Sequence, residues 1–198
     1  MPFVNRFSSS SKLYNFSFHI ITYCKDSFKK IATKGFYHEI ERNNEEHIPC
    51  KFHYARRIPS EILEPFYKGK FNPLSEREQM FLDLFRGKEN PFYVIGTYGN
   101  ARSDTLKHEI AHGLFYTNQR YKEEVLKILE KIDKKRRAEI NRFLNKWTGY
   151  HPQVWDDETH AFILLSKSKK FKEGVDVSSL SKIKRALNLI FEKYHQEN

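Results

Sequence analysis

Residues 108–112 read His-Glu-Ile-Ala-His, which places two histidines four positions apart with a glutamate directly after the first. On an α-helix, positions i and i+4 lie one turn apart on the same face, so both imidazoles can reach one metal ion. Glu109 lies on the flank of that face, where a carboxylate can act as general base toward a water molecule. The spacing therefore predicts a zinc site with His108 and His112 as ligands and Glu109 as catalytic base.

The residues around this pentad fit a helix that is largely buried. Leu106, Ile110 and Leu114 recur at i, i+4 and i+8, on the face opposite the histidines, where they can pack into a core. Between Thr105 and Leu114, the only charged neighbour of the pentad is Lys107, whose long side chain can carry its ammonium group to water. We therefore expect the two histidines to face a second helix while the apolar residues face the core.

The stretch from Thr105 to Leu114 resembles the extended signature of zincin metallopeptidases. That signature has a Thr, an uncharged residue and any residue, then His-Glu-uncharged-uncharged-His, an uncharged residue and a hydrophobic one, and every position is met. The metzincin continuation is not met, because Phe115 and Asn118 stand where a Gly and a third His would be. Cys50 does not stand in the Gly-Cys-Leu-Ser segment of a deformylase-like site. A third ligand from a later helix is therefore expected.

The candidates for the third ligand cluster between Trp155 and Ala161. A catalytic zinc commonly has three protein ligands and one open position. At about 100° per residue, Glu158 falls in the middle of an apolar stripe, Asp157 near its margin, and Asp156 and His160 on the polar side. A carboxylate on an apolar stripe is costly unless a partner such as zinc compensates its charge. Glu158 is the predicted ligand; Asp157 and His160 are the alternatives, and a buried Lys or Arg partner for Glu158 is the competing interpretation.

Glu158 and Ala161 also form a Glu-x-x-Ala motif downstream of His112. This motif is similar to the second motif of gluzincin families. The resemblance covers Thr105 to Leu114 and Glu158 to Ala161, and it indicates no particular family. It implies a zincin-like fold and a zinc-dependent peptidase with one zinc ion, which cleaves amide bonds of a peptide or protein substrate with Glu109 as base.

Two further features are expected of such a site. The tetrahedral intermediate of amide hydrolysis needs a donor for its oxyanion, and Tyr150, His151, Tyr116 and Tyr121 are candidates that spacing does not separate. In zincins, a strand before the HExxH helix commonly aligns the substrate backbone, and Tyr93 to Tyr98 occupies that position. An ordinary core strand is an equally good interpretation of that segment.

The elements that must position these residues follow an α+β layout, with a small N-terminal mixed sheet and a helical C-terminal half. Alternating or β-rich runs predict strands at Leu13–Tyr23, Lys51–Arg57 and Phe92–Ile95. Capping signals and helical periodicity predict helices at Ser75–Gly87, Ser103–Thr117, Glu123–Lys134, Ala138–Lys146, Asp156–Ser168 and Ser181–Tyr194. The sequence of 198 residues contains no internal repeat, so a single zincin-like metallohydrolase domain is expected across residues 1–198.

The charge of the chain supports a second class of function. A formal net charge of +10 suits nucleic acid or an anionic surface. However, the Lys and Arg residues are spread along the chain, and no zinc-finger, homeodomain or RNP-type pattern accompanies them. The alternative is therefore a non-catalytic regulatory or binding protein on a zincin scaffold, whose basic surface engages a nucleic acid or a protein partner.

Cysteine usage and hydropathy indicate the compartment. Cys24 and Cys50 are isolated and form no CxxC knuckle, so reduced thiols are expected rather than a disulfide framework. No apolar run approaches the length of a membrane span. The segment up to Tyr23 has no continuous apolar h-region, so we expect a cytoplasmic protein, with export that needs no signal peptide as the alternative.

Overall fold

The computed structural model describes residues 18–22, 55–97, 103–148, 150–165 and 169–196. The described elements are mostly helices accompanied by one small sheet, which confirms the α+β class. The described residues up to Thr97 belong to one compact unit, and those from Ser103 onward belong to a second. The single domain across residues 1–198 stays a prediction, and Cys24 and Cys50 lie outside the described residues.

The first unit contains a mixed sheet of three strands, β1 (Phe18–Thr22), β2 (Ala55–Pro59) and β3 (Tyr93–Thr97). Strand β3 lies in the centre, parallel to β1 and antiparallel to β2. Each of the three predicted strands overlaps an observed one. Residues 13–17, 23 and 51–54 of the predicted segments lie outside the described residues.

Two helices of the first unit lie between β2 and β3. A 3₁₀ turn at Ser60–Leu63 leads into the short α1 (Glu64–Tyr67), and α2 spans Glu76–Asp83. The predicted capping box is confirmed, because Glu78 Oε2 accepts the backbone N–H of Ser75 at 2.9 Å and Ser75 Oγ accepts the N–H of Glu78 at 3.3 Å. Helix α2 ends before the predicted Gly87, which has a left-handed φ of 77° and lies in the following turn.

The core of the first unit forms between the sheet and these helices. Aliphatic and phenylalanine side chains from β2, β3, the 3₁₀ turn, α1, α2 and the segment between α2 and β3 bury one another there. They are Ile58, Ile62, Leu63, Phe66, Phe81, Leu82, Phe85, Phe92 and Val94.

The described elements of the second unit are all helical. Its helices are α3 (Ser103–Thr117), α4 (Gln119–Leu129), α5 (Lys134–Phe143), α6 (Trp155–Leu165), α7 (Lys169–Gly174) and α8 (Ser181–Gln196). A π-helical turn, Leu144–Thr148, follows α5, and a 3₁₀ turn, Pro152–Val154, precedes α6. None of the helices among the described residues combines the length and apolar character that crossing a membrane requires.

Side-chain caps shift two helices from their predicted bounds. Asn118 Oδ1 accepts the backbone N–H of Tyr121 at 3.0 Å, so α4 begins four residues before the predicted Glu123. Asp133 Oδ1 accepts the N–H of Arg136 at 3.0 Å, so α5 begins at Lys134 rather than at the predicted Ala138. Periodicity alone detected both helices but not their starts.

Helix α6 occupies the interior of the second unit. It packs against α3, α4 and α8, while α4 also packs against α3 and α8. Residues 158–161, 163 and 164 are consequently buried. The packing of α3 against α6 brings the His-Glu-Ile-Ala-His segment next to the Glu158 segment.

Candidate metal centre

Helix α3 presents the two histidines as its sequence predicts. Ile110 and Leu114 are buried in the core of the second unit. His112 is also buried, whereas His108 is half-buried. His108 is therefore the ligand candidate that lies closer to solvent.

Three ligand atoms converge from α3 and α6. The Nε2 atoms of His108 and His112 are 3.1 Å apart, and His112 Nε2 lies 3.7 Å from Glu158 Oε2. One ligand atom from each of the three residues lies within 4.8 Å of the others. The side chains of both His112 and Glu158 are 0% exposed, so these two residues shield the candidate metal position from solvent on their side.

These distances fit a single zinc ion. Zinc binds imidazole nitrogen at about 2.0–2.1 Å and carboxylate oxygen at about 2.0–2.2 Å, so the edges of a tetrahedral site are about 3.3–3.5 Å. The observed separations of 3.1 and 3.7 Å lie on either side of that range. Two imidazoles and one carboxylate are also a donor set found at catalytic zinc sites, which leave one position open. The three residues could therefore hold a metal ion, and their donor set suits zinc.

Glu109 lies beside this triad without belonging to it. It is 7% exposed and follows His108 directly on α3. A helical step of about 100° places its side chain on the flank of the ligand face, as the sequence predicts.

Asp157 contacts the opposite edge of His112. Its Oδ1 lies 2.7 Å from His112 Nδ1, and its side chain is 22% exposed. Because the ligand triad uses His112 Nε2, Asp157 meets the ring nitrogen that points away from the metal position. The structure therefore places this alternative ligand behind His112.

The predicted position of His160, the other alternative ligand, is wrong. This side chain was predicted to project toward the polar side of α6, but it is fully buried because α3, α4 and α8 surround this helix. Its Nε2 lies 3.2 Å from the carbonyl oxygen of Ala111, and its ring stacks on Phe115 with centroids 5.0 Å apart. Burial lowers the pKa of His160, so a neutral imidazole can donate this bond and hold α6 against α3.

The aromatic oxyanion candidates occupy different surroundings. Tyr121 is buried against Tyr194 and His160, and burial together with the charge of Asp157 raises its pKa, so it behaves as a core residue. Tyr116 is half-buried on α3, one turn after His112. Its role as oxyanion donor stays a prediction.

Tyr150 and His151 lie in the segment that leads into α6. The indole Nε1 of Trp155 donates to the carbonyl of Tyr150 at 2.8 Å, and His151 caps the 3₁₀ turn by accepting the backbone N–H of Gln153 at 3.4 Å. These contacts fix the backbone of the segment that precedes Glu158. The part of either side chain in stabilising an oxyanion stays a prediction.

The strand predicted to align substrate, Tyr93 to Tyr98, is β3 of the first unit. Tyr93, Val94 and Ile95 are buried there, as expected of an ordinary core strand. Tyr98 lies outside the described residues, and substrate alignment by this strand stays a prediction.

An aromatic cluster beside His108 was not found from the sequence. The ring of Phe162 meets that of His108 edge to face with centroids 5.4 Å apart, and it also contacts Phe143 and Phe171 at 5.4 and 5.5 Å. These three rings come from α6, α5 and α7, so their meeting depends on tertiary packing. The sequence feature that points to this cluster is the position of Phe162, one turn after Glu158 on the same apolar stripe of α6.

Comparisons of this chain with protein families, with curated proteins and with solved structures find no match.

Proposed function

We propose that this chain is a zinc-dependent metallohydrolase, specifically a gluzincin-like peptidase that cleaves amide bonds. The observation that carries the proposal is the convergence of His108, His112 and Glu158 from two separate helices, with the Glu158 carboxylate fully buried. The resemblance of Thr105–Leu114 and Glu158–Ala161 to zincin motifs supports the peptidase activity and a zincin-like fold.

The proposed mechanism divides the work between two groups of residues. His108, His112 and Glu158 would hold the ion, and a bound zinc ion would polarise the substrate carbonyl and make water more acidic. Glu109 takes the proton from the attacking water and delivers it to the leaving amine nitrogen. Its burial keeps competing solvent away from that transfer.

Metal content and one isosteric substitution test this proposal. Protein purified without chelator should contain one zinc ion per chain, and His112→Ala should contain far less. Glu109→Gln should retain zinc while hydrolysis of a quenched fluorescent peptide library falls by about 10²- to 10⁴-fold, the usual contribution of a general base. Glu123→Gln is the matched control, because Glu123 is exposed on α4 and accepts a hydrogen bond from Gln119.

Each alternative gives a different result. Negligible zinc in both wild type and His112→Ala would rule out the metal site. Full activity of Glu109→Gln would rule out Glu109 as base. One bound zinc without hydrolysis of any library member would favour the non-catalytic binding protein, whose basic surface engages a nucleic acid or a protein partner.

A further inference from the structure

The two ring nitrogens of His112 face different groups. Nε2 faces His108 and Glu158, whereas Nδ1 lies 2.7 Å from Asp157 Oδ1. A neutral imidazole carries its proton on one nitrogen only, and a carboxylate accepts hydrogen bonds without donating them. The short contact with Asp157 therefore requires the proton on Nδ1, which leaves the lone pair of Nε2 directed at the ligand position.

Asp157 lies between His112 and His160. Asp157 and Glu158 are consecutive residues in the first turn of α6, so a single turn of helix directs one carboxylate to each edge of His112. His160 lies on the other side of Asp157, with Nδ1 3.7 Å from the same oxygen, and its Nε2 contacts the carbonyl of Ala111 on α3. The His112 side chain is 0% exposed, and water therefore competes little for its bond to Asp157.

We propose that Asp157 is a positioning residue of the metal centre, which fixes the Nδ1–H tautomer and the orientation of His112. The inference rests on the proposed function, because it assigns Asp157 a part in binding the same zinc ion. A carboxylate behind a histidine ligand raises the basicity of the ligating nitrogen, and its loss commonly costs about 10- to 100-fold in metal affinity. Asp157 is thus a determinant of zinc affinity although it does not belong to the ligand triad.

Two neighbouring aspartates provide a matched test. Asp157→Asn keeps the size of the side chain but can direct an amide N–H at Nδ1, which favours the other tautomer of His112. In the full chain, its affinity for zinc, measured by competition with a chelating dye, should fall by about 10- to 100-fold. Asp156→Asn should bind zinc as wild type does, because Asp156 is exposed and pairs with Arg137 at 2.8 Å.

A spectroscopic readout separates positioning from folding. Imidazole ¹⁵N–¹H correlation spectra of the apo protein at about pH 8, where an ordinary histidine is neutral, distinguish the two tautomers. The signals of His112 are identified by their loss in His112→Asn. Wild type should show His112 as the Nδ1–H tautomer, and Asp157→Asn should show the Nε2–H tautomer.

The outcomes distinguish this inference from the function on which it rests. Wild-type zinc affinity in Asp157→Asn, or an Nε2–H tautomer of His112 in wild type, would overturn the role of Asp157. The tautomer of His112 in wild type tests the role of Asp157 even if Asp157→Asn does not fold. A wild-type protein that binds no zinc but shows the Nδ1–H tautomer would overturn the metal site and with it the positioning role, while leaving the hydrogen bond in place.

Discussion

Glu78 in the first unit and Glu158 in the second are both buried, but their partners differ. Glu78 is 4% exposed and accepts bonds from the backbone N–H and the hydroxyl of Ser75, three residues earlier on the chain. Glu158 is 0% exposed, and its carboxylate faces His112, a residue of another helix. The buried carboxylate of Glu78 is therefore accounted for within its own capping box, whereas that of Glu158 faces a candidate metal ligand on another helix.

The other buried polar residues differ between the units in the kind of group they meet. In the first unit, Ser60 pairs with backbone: its hydroxyl accepts the N–H of Phe92 at 3.3 Å, and its own N–H donates to the carbonyl oxygen of Phe92 at 2.9 Å. Among the described residues of the second unit, the buried polar residues lie on α3 and α6, the two helices of the proposed metal centre. They are Glu109, His112, Glu158, Thr159 and His160. The buried polar side chains that the structure describes in this unit are therefore concentrated where α3 and α6 meet.

The largest effect is expected from identical substitutions at the two glutamates. Glu158→Gln should weaken zinc binding by about 1,000-fold, because a neutral amide is a poor zinc ligand. The free energy of zinc binding at a protein site, roughly 10–16 kcal/mol, is divided among only a few ligands, so the loss of one ligand has a large effect. Glu78→Gln should bind zinc as wild type does, since Gln fills the same position of a capping box. Dye competition on both purified variants measures the difference. Equal zinc affinity in the two variants would remove Glu158 from the ligand set.

A smaller effect is expected when zinc is withdrawn. Free zinc at about 100 times its dissociation constant stabilises a folded protein by about 2.7 kcal/mol, and a chelator should abolish that contribution to the free energy of urea-induced unfolding. Hydrogen exchange should accelerate in α3 and α6, whose ligands are no longer bridged, and stay unchanged in α2 and β3. Faster exchange in α2 and β3 alone would contradict the placement of the ion.

The sequence predicts the convergence of His108, His112 and Glu158 better than it predicts their surroundings. His108 and His112 share a helix, and Glu158 lies on an apolar stripe, so local periodicity was enough to select all three. The predicted position of His160 is wrong because a helical projection assumes one buried face, whereas α6 contacts helices on several sides. A helical projection describes one helix alone, so it cannot show how many neighbours bury that helix.

The bounds of the helices show a similar limit. The capping box of Ser75 and Glu78 predicts the start of α2 correctly. The helices capped by the single residues Asn118 and Asp133 begin earlier than periodicity predicts. The Asp157 bond to His112 and the cluster at Phe162 join residues from different elements. Such contacts depend on how helices pack, which no local pattern in one sequence specifies.

The smallest effect concerns Glu124, a glutamate of the second unit outside the metal centre. Tyr194 donates a hydrogen bond to Oε1 of Glu124 at 2.7 Å, and Nζ of Lys193 lies 3.2 Å from the same oxygen. Both contacts, chiefly that of Tyr194, lower the pKa of Glu124. A carboxyl group whose pKa is lower in the folded state stabilises the protein at pH values above its ordinary pKa, near 4.5. This stabilisation is lost as the pH falls through the pKa of the folded state. Its side chain is 37% exposed, so solvent screens the contacts and we expect only a few tenths of a kcal/mol.

Urea unfolding of wild type and Glu124→Gln, with chelator present in every sample, tests this expectation. The variant should be slightly less stable at pH 7, and the difference should disappear as the carboxyl group of the wild type becomes protonated. Tyr194→Phe keeps the ring packed against Tyr121 but removes the donor of the stronger contact, so it should reproduce most of the difference at pH 7. Zinc affinity at pH 7 should be unchanged in both variants, because Glu124 joins α4 to α8 rather than α3 to α6. A loss of zinc in Glu124→Gln would mean that carboxylates outside the α3–α6 contact also support the ion, and the contrast between Glu78 and Glu158 would then be too simple.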